Sequence, residues 1–252
     1  MSFWIAVFLG LLQGITEFLP ISSSGHLTIL EKLFKIETDV VFLNVVLHVA
    51  TLLAVCVFYR KKLLYMIKHP LCKENLYLLI ATIPAILFVI LFGSIFDSFF
   101  SSTFFVGVGF LISAFFLILA EIILKKTKNS EKVGIKSALF MGLGQAIAVF
   151  PGVSRSGTTL SFGLVSGIEK ENALDFSFLM SIPVIIASLF YEILFKPMSF
   201  DVDVWGIVIA FLFAFLTALW GIKIMQKIVK KLNLWWFVLY LIVVGILVIV
   251  FL

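Results

Sequence analysis

One motif occurs twice in this chain, 132 residues apart, and that repeat constrains the fold more than any other feature. The first copy runs Gly10-Leu11-Leu12-Gln13, then Phe18, then Ser22-Ser23-Ser24-Gly25-His26. The second runs Gly142-Leu143-Gly144-Gln145, then Phe150, then Ser154-Arg155-Ser156-Gly157-Thr158. A proline precedes each serine cluster, Pro20 and Pro151, one place further back in the second copy. The copies differ in charge. Glu17 and His26 of the first correspond to Val149 and Thr158 of the second, and Ser23 corresponds to Arg155. One half supplies a carboxylate and an imidazole, the other a guanidinium, as expected of a site built between two halves.

Composition identifies the solvent around this repeat. Apolar residues make up 62% of the 252 and charged residues 13%, more apolar surface than a soluble core can bury, so the chain reads as an integral membrane protein. Apolar runs near 41–59, 76–96, 104–124, 173–195, 205–222 and 235–252 approach the roughly 20 residues a helix needs to cross a bilayer. They are continuous rather than alternating, which predicts helices and not barrel strands. Residues 1–18 lack a small-residue cleavage site leading to a soluble domain and are not read as a removable signal. Cys56 and Cys72 are not expected to form a disulfide.

An excess of Lys and Arg over acids (19 against 14) raises the question of nucleic acid, and placement excludes it. The basic residues cluster at 60–73, 125–136 and 223–231, whereas the loops around Asp97–Thr103 and Lys196–Asp203 carry one Lys between them. The positive-inside rule makes the basic loops cytoplasmic. It leaves two segments, 1–35 and 135–170, that must each begin and end on one side, outside for the first and inside for the second. Each has two short apolar arms around a Pro/Ser/Gly tip, the pattern of a re-entrant hairpin. The span starts also recur, 41 with 173, 76 with 205 and 104 with 235. The expected architecture is an all-α integral membrane domain over 1–252 with six transmembrane helices and two re-entrant hairpins. It forms an inverted-topology repeat, 1–126 against 135–252, with the tips meeting near the midplane.

The tips carry Gln13, Glu17, Ser22, Ser23, Ser24 and His26 from one half and Gln145, Ser154, Arg155, Ser156, Thr158 and Thr159 from the other. Gln13 and Glu17, four apart, share a helix face. Serine-rich turns at helix starts suit anions, and the Arg155 fork matches phosphate oxygens. Glu17 and His26 handle protons, and a serine hydroxyl donates to phosphate or attacks it. Together they read as a phosphate-handling site. Blander readings stand beside this one: serine and glycine as packing residues, Arg155 in a structural ion pair with Glu17, His26 as a satisfied core histidine. Asn44 and His48, four apart on one span, line the cavity or serve local packing, and Asp175 and Glu192 read as interfacial. Inverted repeats with a midplane site are equally at home in a transporter or flippase of a lipid phosphate or small anion.

The stretch from Gln13 to His26 resembles the first signature of the undecaprenyl-diphosphate phosphatases, Glu/Gln-x-x-x-Glu followed by Pro-x-Ser-Ser-x-Gly-His. Pro151-Gly152-Val153-Ser154-Arg155-Ser156-Gly157 is similar to the second, and Leu43–Ala54 and Asp175–Pro183 also look like the family. The resemblance implies a bacterial inner-membrane enzyme, open to the extracytoplasmic side, that cleaves undecaprenyl diphosphate to undecaprenyl phosphate and phosphate. It thereby recycles the carrier lipid and confers bacitracin resistance. It implies catalytic roles for Glu17, Ser23, His26 and Arg155, with Ser154 beside them; the hydroxyls of Ser22, Ser24, Ser154, Ser156, Thr158 and Thr159 are expected to hold the phosphates. It further implies a divalent cation, Mg or Ca, at Glu17. Many members have Glu where this chain has Gln13, which puts a two-carboxylate metal site in doubt. The partners implied are a polyprenyl diphosphate and the membrane, with no nucleic acid; a homodimer is a further expectation.

Overall fold

The computed structural model describes residues 3–34, 40–100, 102–126, 131–195, 204–231 and 233–252. Apart from one isolated bridge between Glu131 and Ile168, its regular structure is helical among these residues. The order is α1 (Phe3–Phe18), α2 (Ser23–Leu33), α3 (Val40–Phe58), α4 (Arg60–Lys68), α5 (Lys73–Phe100) and α6 (Thr103–Lys126). It continues with α7 (Ile135–Ile147), α8 (Arg155–Val165), α9 (Lys170–Phe195), α10 (Val204–Lys231) and α11 (Trp235–Phe251). The expected loops around Lys128 and Lys196–Asp203, and the last residue of the segment 1–35, lie outside the described residues.

Five of the helices, α3, α5, α6, α9 and α10, are long and apolar enough to cross a membrane. The expected sixth, α11, is equally apolar but spans 17 residues, shorter than the other five. The chain is a multi-pass membrane protein. Its exterior agrees with lipid as the solvent: Leu79, Ile90, Phe190, Leu216, Leu239 and Val250 all stand exposed on these helices. Several helices outrun the apolar windows. α5 begins at Lys73 and α10 continues to Lys231, because lysine is a good helix former that can leave the bilayer at a helix end. The short α4 occupies the first basic loop and buries only Met66. Cys56 and Cys72 are both free.

Helix packing places the two tips. α1 lies along α10, and α7 lies along α5. Gly10 allows the first approach, since a Cβ there would overlap the Ala210 carbonyl, and Gly142 allows the second against the Ala81 carbonyl. Such small-residue contacts bring helix backbones together where no water-driven burial does so. The turn before α8 packs into α6. The backbone N–H of Ser154 donates to Ser113 Oγ at 2.8 Å, ten residues beyond Thr103, or about 15 Å along the helix axis. Gly152 has φ +79°, the left-handed region, and a side chain there would strike the Val106 carbonyl. Lys32, near the end of α2, donates to Thr103 Oγ1 and the Leu252 carbonyl. Beyond the end of α8, Ile168 pairs with Glu131.

Candidate active site

The two tips use one capping device. Ser22 caps α2 and Ser154 caps α8; each hydroxyl accepts from the backbone N–H three residues on, Gly25 at 3.3 Å and Gly157 at 3.1 Å. The first residue of each helix is thereby fixed in space, Ser23 in α2 and Arg155 in α8. Ser156 Oγ donates to the Leu19 carbonyl at 2.9 Å and ties the second tip directly to the first.

Both tips converge on Glu17. Arg155 Nη2 donates to Glu17 Oε1 at 2.6 Å. Ser23 Oγ donates to Oε2 at 2.7 Å, and Gln13 Nε2 donates to the same oxygen at 3.1 Å from one turn back on α1. Glu17 is buried, so its charge needs these partners, and the pair with Arg155 supplies the compensation that a buried charge requires. The pair uses only one arm of the guanidinium. Arg155 Nη1 is buried and makes no hydrogen bond, as is Oε1 of Gln13. A buried donor and a buried acceptor left open beside one carboxylate are what a phosphate oxygen and a cation would satisfy. Glu17 with the Gln13 carbonyl fits a divalent ion held largely by substrate oxygens, since Mg is typically bound through one or two carboxylates plus phosphates. Among the described residues no three of His, Cys, Asp and Glu cluster into a metal cage.

The other expected residues divide. His26 is near but turned away: Nδ1 donates to the Ser22 carbonyl at 2.6 Å, and Nε2 accepts from Tyr240 Oη at 2.5 Å, with the two rings stacked. Both its nitrogens are engaged and neither reaches Glu17. Ser24 lies 3.4 Å from Ser22 Oγ, and Ser154 and Ser156 are 3.3 Å apart. Thr158 donates back to the Ser154 carbonyl at 2.9 Å and Thr159 to the Arg155 carbonyl at 2.7 Å, so their protons serve α8 itself. Gln145, the repeat partner of Gln13, donates to the Ala81 carbonyl and joins α7 to α5 rather than lining the site.

Two residues gain from the fold what the sequence left open. His48 Nε2 faces Glu17 Oε2 at 3.9 Å, and Asn44, one turn earlier on α3, donates to Glu31 Oε1 at 3.1 Å. Their four-residue spacing was the available signal, but nothing local pointed it at Glu17. Asp175, expected at the interface, is half-buried and held between helices by Tyr59 at 2.7 Å and Gln226 at 3.2 Å.

Next to His26 opens a cavity of about 530 Å³ between α1, α2 and α11. Its walls include Phe8, Leu12, Leu33, Leu247 and Phe251, and His26 is its one polar-headed residue.

Comparison with known proteins identifies the family of the chain. A family model described as bacitracin resistance protein BacA matches residues 6–247. An undecaprenyl-diphosphatase of Carboxydothermus hydrogenoformans is 34% identical over 254 residues, covering 99% of this chain and 97% of the relative. Undecaprenyl-diphosphatase 3 of Bacillus cereus is 40% identical over 190 residues, 75% of this chain and 73% of its own. An undecaprenyl-diphosphatase of Methanococcus vannielii is 39% identical over 229 residues, 88% and 90% of the two chains.

Proposed function

The chain belongs to the bacitracin resistance protein BacA family, and on that premise we propose that it is an undecaprenyl-diphosphatase whose reaction is organised around Glu17. It hydrolyses the lipid diphosphate to undecaprenyl phosphate and inorganic phosphate, returns the carrier to cell-wall synthesis and confers bacitracin resistance. The observation that carries the site assignment is the convergence of Ser23 and Arg155, one from each tip, on the two oxygens of Glu17.

In this reading the open Nη1 of Arg155 takes a phosphate oxygen of the arriving diphosphate. Binding draws the guanidinium from Glu17 toward the phosphates. Glu17 is then free to accept the proton that Ser23 already directs at it. Either the Ser23 oxygen attacks phosphorus in line while undecaprenyl phosphate departs, and a water then cleaves the phosphoserine to release inorganic phosphate and restore the hydroxyl, or a water held in place of the hydroxyl attacks directly. Ser22, Ser24, Ser154 and Ser156 rim the anion, and His26 with Tyr240 closes the lipid side. Glu17 and Gln13 would hold a divalent cation, Mg or Ca, which supplies charge neutralisation on the phosphate oxygens. The first isoprene units lie in the apolar cavity beside His26, a volume within the usual range for a ligand pocket.

The site lies in an inverted repeat of six spans and two re-entrant hairpins, opening to the outer face of the inner membrane. The exchanged packing supports this. Gly10 meets Ala210 while its counterpart Gly142 meets Ala81, and 81 and 210 differ by the same 129 as the span starts 76 and 205. The anchoring of α2 near Thr103 and Leu252, and the pairing beyond α8 with Glu131 after α6, also suit hairpins that return to opposite sides.

The test is phosphate release from undecaprenyl diphosphate by purified protein in detergent with Mg or Ca. Folded protein that releases none would remove the reaction. Impermeant thiol labelling of single cysteines in a Cys-free background tests the topology. Phe34→Cys should label in intact cells and Lys132→Cys should not; the reverse pattern would overturn the inverted arrangement.

A further inference from the structure

His48 has a place in the site that neither signature motif assigns. Its Nδ1–H donates to the Asn44 carbonyl at 2.8 Å, which orients the ring and turns Nε2 toward Glu17. Nε2 stands 3.9 Å from Glu17 Oε2, too far for a hydrogen bond. An imidazole nitrogen and a carboxylate oxygen so spaced leave a gap that a cation can bridge. The ring is held in this pose from behind. Asn44 is fixed to Glu31 of α2 through its amide, and Thr51 Oγ1 donates to the His48 carbonyl at 3.0 Å. A histidine that gives its far N–H to a backbone carbonyl and presents the other nitrogen to a carboxylate-lined gap has the arrangement of a metal ligand. The third donor is Gln13, whose Nε2 lies 3.1 Å from the same Glu17 oxygen and whose Oε1 is buried without a partner; exchange of the two amide ends brings Oε1 to the Nε2 position beside Oε2.

We propose that His48 Nε2 is a direct ligand of the divalent cation, completing with Glu17 and Gln13 a set of one nitrogen and two oxygen donors. This rests on the reading that the enzyme binds a cation at Glu17. Imidazole strengthens binding of transition-series ions more than of Mg, so the chain should prefer Mn²⁺ to Mg²⁺ by a margin that depends on His48.

The probe is Mn²⁺ itself, added to tag-free, full-length protein in detergent and nitrogen-free buffer. Pulsed electron paramagnetic resonance reads the coupling of a directly bound imidazole nitrogen. The chain has three histidines. The wild type should show one coupled histidine nitrogen, replaced by the ¹⁵N pattern when histidine is labelled. His69→Gln should retain the signal and His48→Gln should lose it. Loss of the ligand should weaken Mn²⁺ binding at least about tenfold, with a smaller loss for Mg²⁺. Labelling of the wild type keeps the question open to measurement if His48→Gln does not fold. Mn²⁺ bound with no histidine coupling would overturn the ligand assignment while leaving a cation site in place. No bound Mn²⁺ at all would overturn the cation reading beneath it.

Discussion

The turns before α2 and α8 share one capping device and differ in where they put their strain. In the second turn three steps separate Pro151 from the capping Ser154, and the left-handed residue is a glycine, Gly152 at φ +79°. In the first, Pro20 is two steps from the capping Ser22, and the left-handed residue is Ser22 itself at φ +70°. A left-handed serine costs about 1–3 kcal/mol and persists only where its surroundings hold it. The strained turn is also the one that delivers Ser23 to Glu17, while the relaxed turn delivers Arg155. The comparison teaches that a duplicated scaffold can share one capping device and assign its functional groups separately: hydroxyl and carboxylate on one copy, guanidinium on the other.

The largest expected effect breaks the bond between the copies. Arg155→Ala removes a phosphate donor and leaves Glu17 buried without a counter-charge. Turnover should fall by on the order of 3 kcal/mol, a hundredfold or more, and stability by about 3–5 kcal/mol. Arg155→Lys keeps the charge but loses the fork and should remain strongly impaired. The double variant Glu17→Gln with Arg155→Met separates the two roles, since a neutral pair no longer strands a charge. It should recover most of the stability and none of the activity. Recovery of activity would mean that the pair is a structural clasp and nothing more. Phosphate release and thermal unfolding of the same detergent preparations decide this.

Second in size is Ser23→Ala, which should cut turnover by roughly a hundredfold and stability by about 1–3 kcal/mol, because the buried Glu17 carboxylate loses its hydroxyl donor. Rapid-quench trapping with labelled substrate sharpens the result. A phosphoenzyme at Ser23 formed at the turnover rate marks covalent attack. Inversion at a chiral phosphorus would instead assign the attack to water, since two displacements retain configuration.

Much of this was legible in the sequence because it is local. Apolar runs such as 41–59 and 104–124 emerge as α3 and α6, and the two Ser/Gly tips emerge as capped helix starts. The family resemblance rested on those same tips and is borne out by the match over residues 6–247. What escaped is whatever depends on contacts across the chain. In sequence Arg155 reads as a phosphate ligand, with pairing to Glu17 the blander alternative; the fold gives it that pair with one arm still open. His26 carries the motif's imidazole, yet a tyrosine 214 residues away claims it. His48 bears on Glu17 only because α3 passes α1, which no local pattern encodes.

Third is Gly152→Ala. A side chain at φ +79° costs roughly 1–2 kcal/mol before any clash, and here it would also strike the Val106 carbonyl. The turn has to shift, and Arg155 shifts with it. Both the unfolding midpoint and turnover should drop, turnover by more than the loss of folded protein explains. A variant that loses stability in step with activity would place the whole effect in folding and detach the turn's geometry from catalysis.

The smallest effect tests the strain itself. Ser22→Gly and Ser154→Gly each delete a capping hydroxyl, a change that costs only a few tenths of a kcal/mol when glycine is the replacement. Ser154 has φ −75°, so its replacement releases nothing and should be slightly destabilising. Ser22 at φ +70° is different: glycine accepts that conformation freely, and about 1 kcal/mol of strain should be returned. The two equivalent substitutions should therefore move the unfolding midpoint in opposite directions. If the strained turn holds Ser23 against Glu17, the gain in stability at Ser22 should come with a loss of turnover, because a relaxed turn lets the hydroxyl wander. The measurement is a pair of thermal melts and a pair of rates. Equal destabilisation by both substitutions would show that the left-handed serine stores no strain, and the two copies would then differ in side-chain chemistry alone.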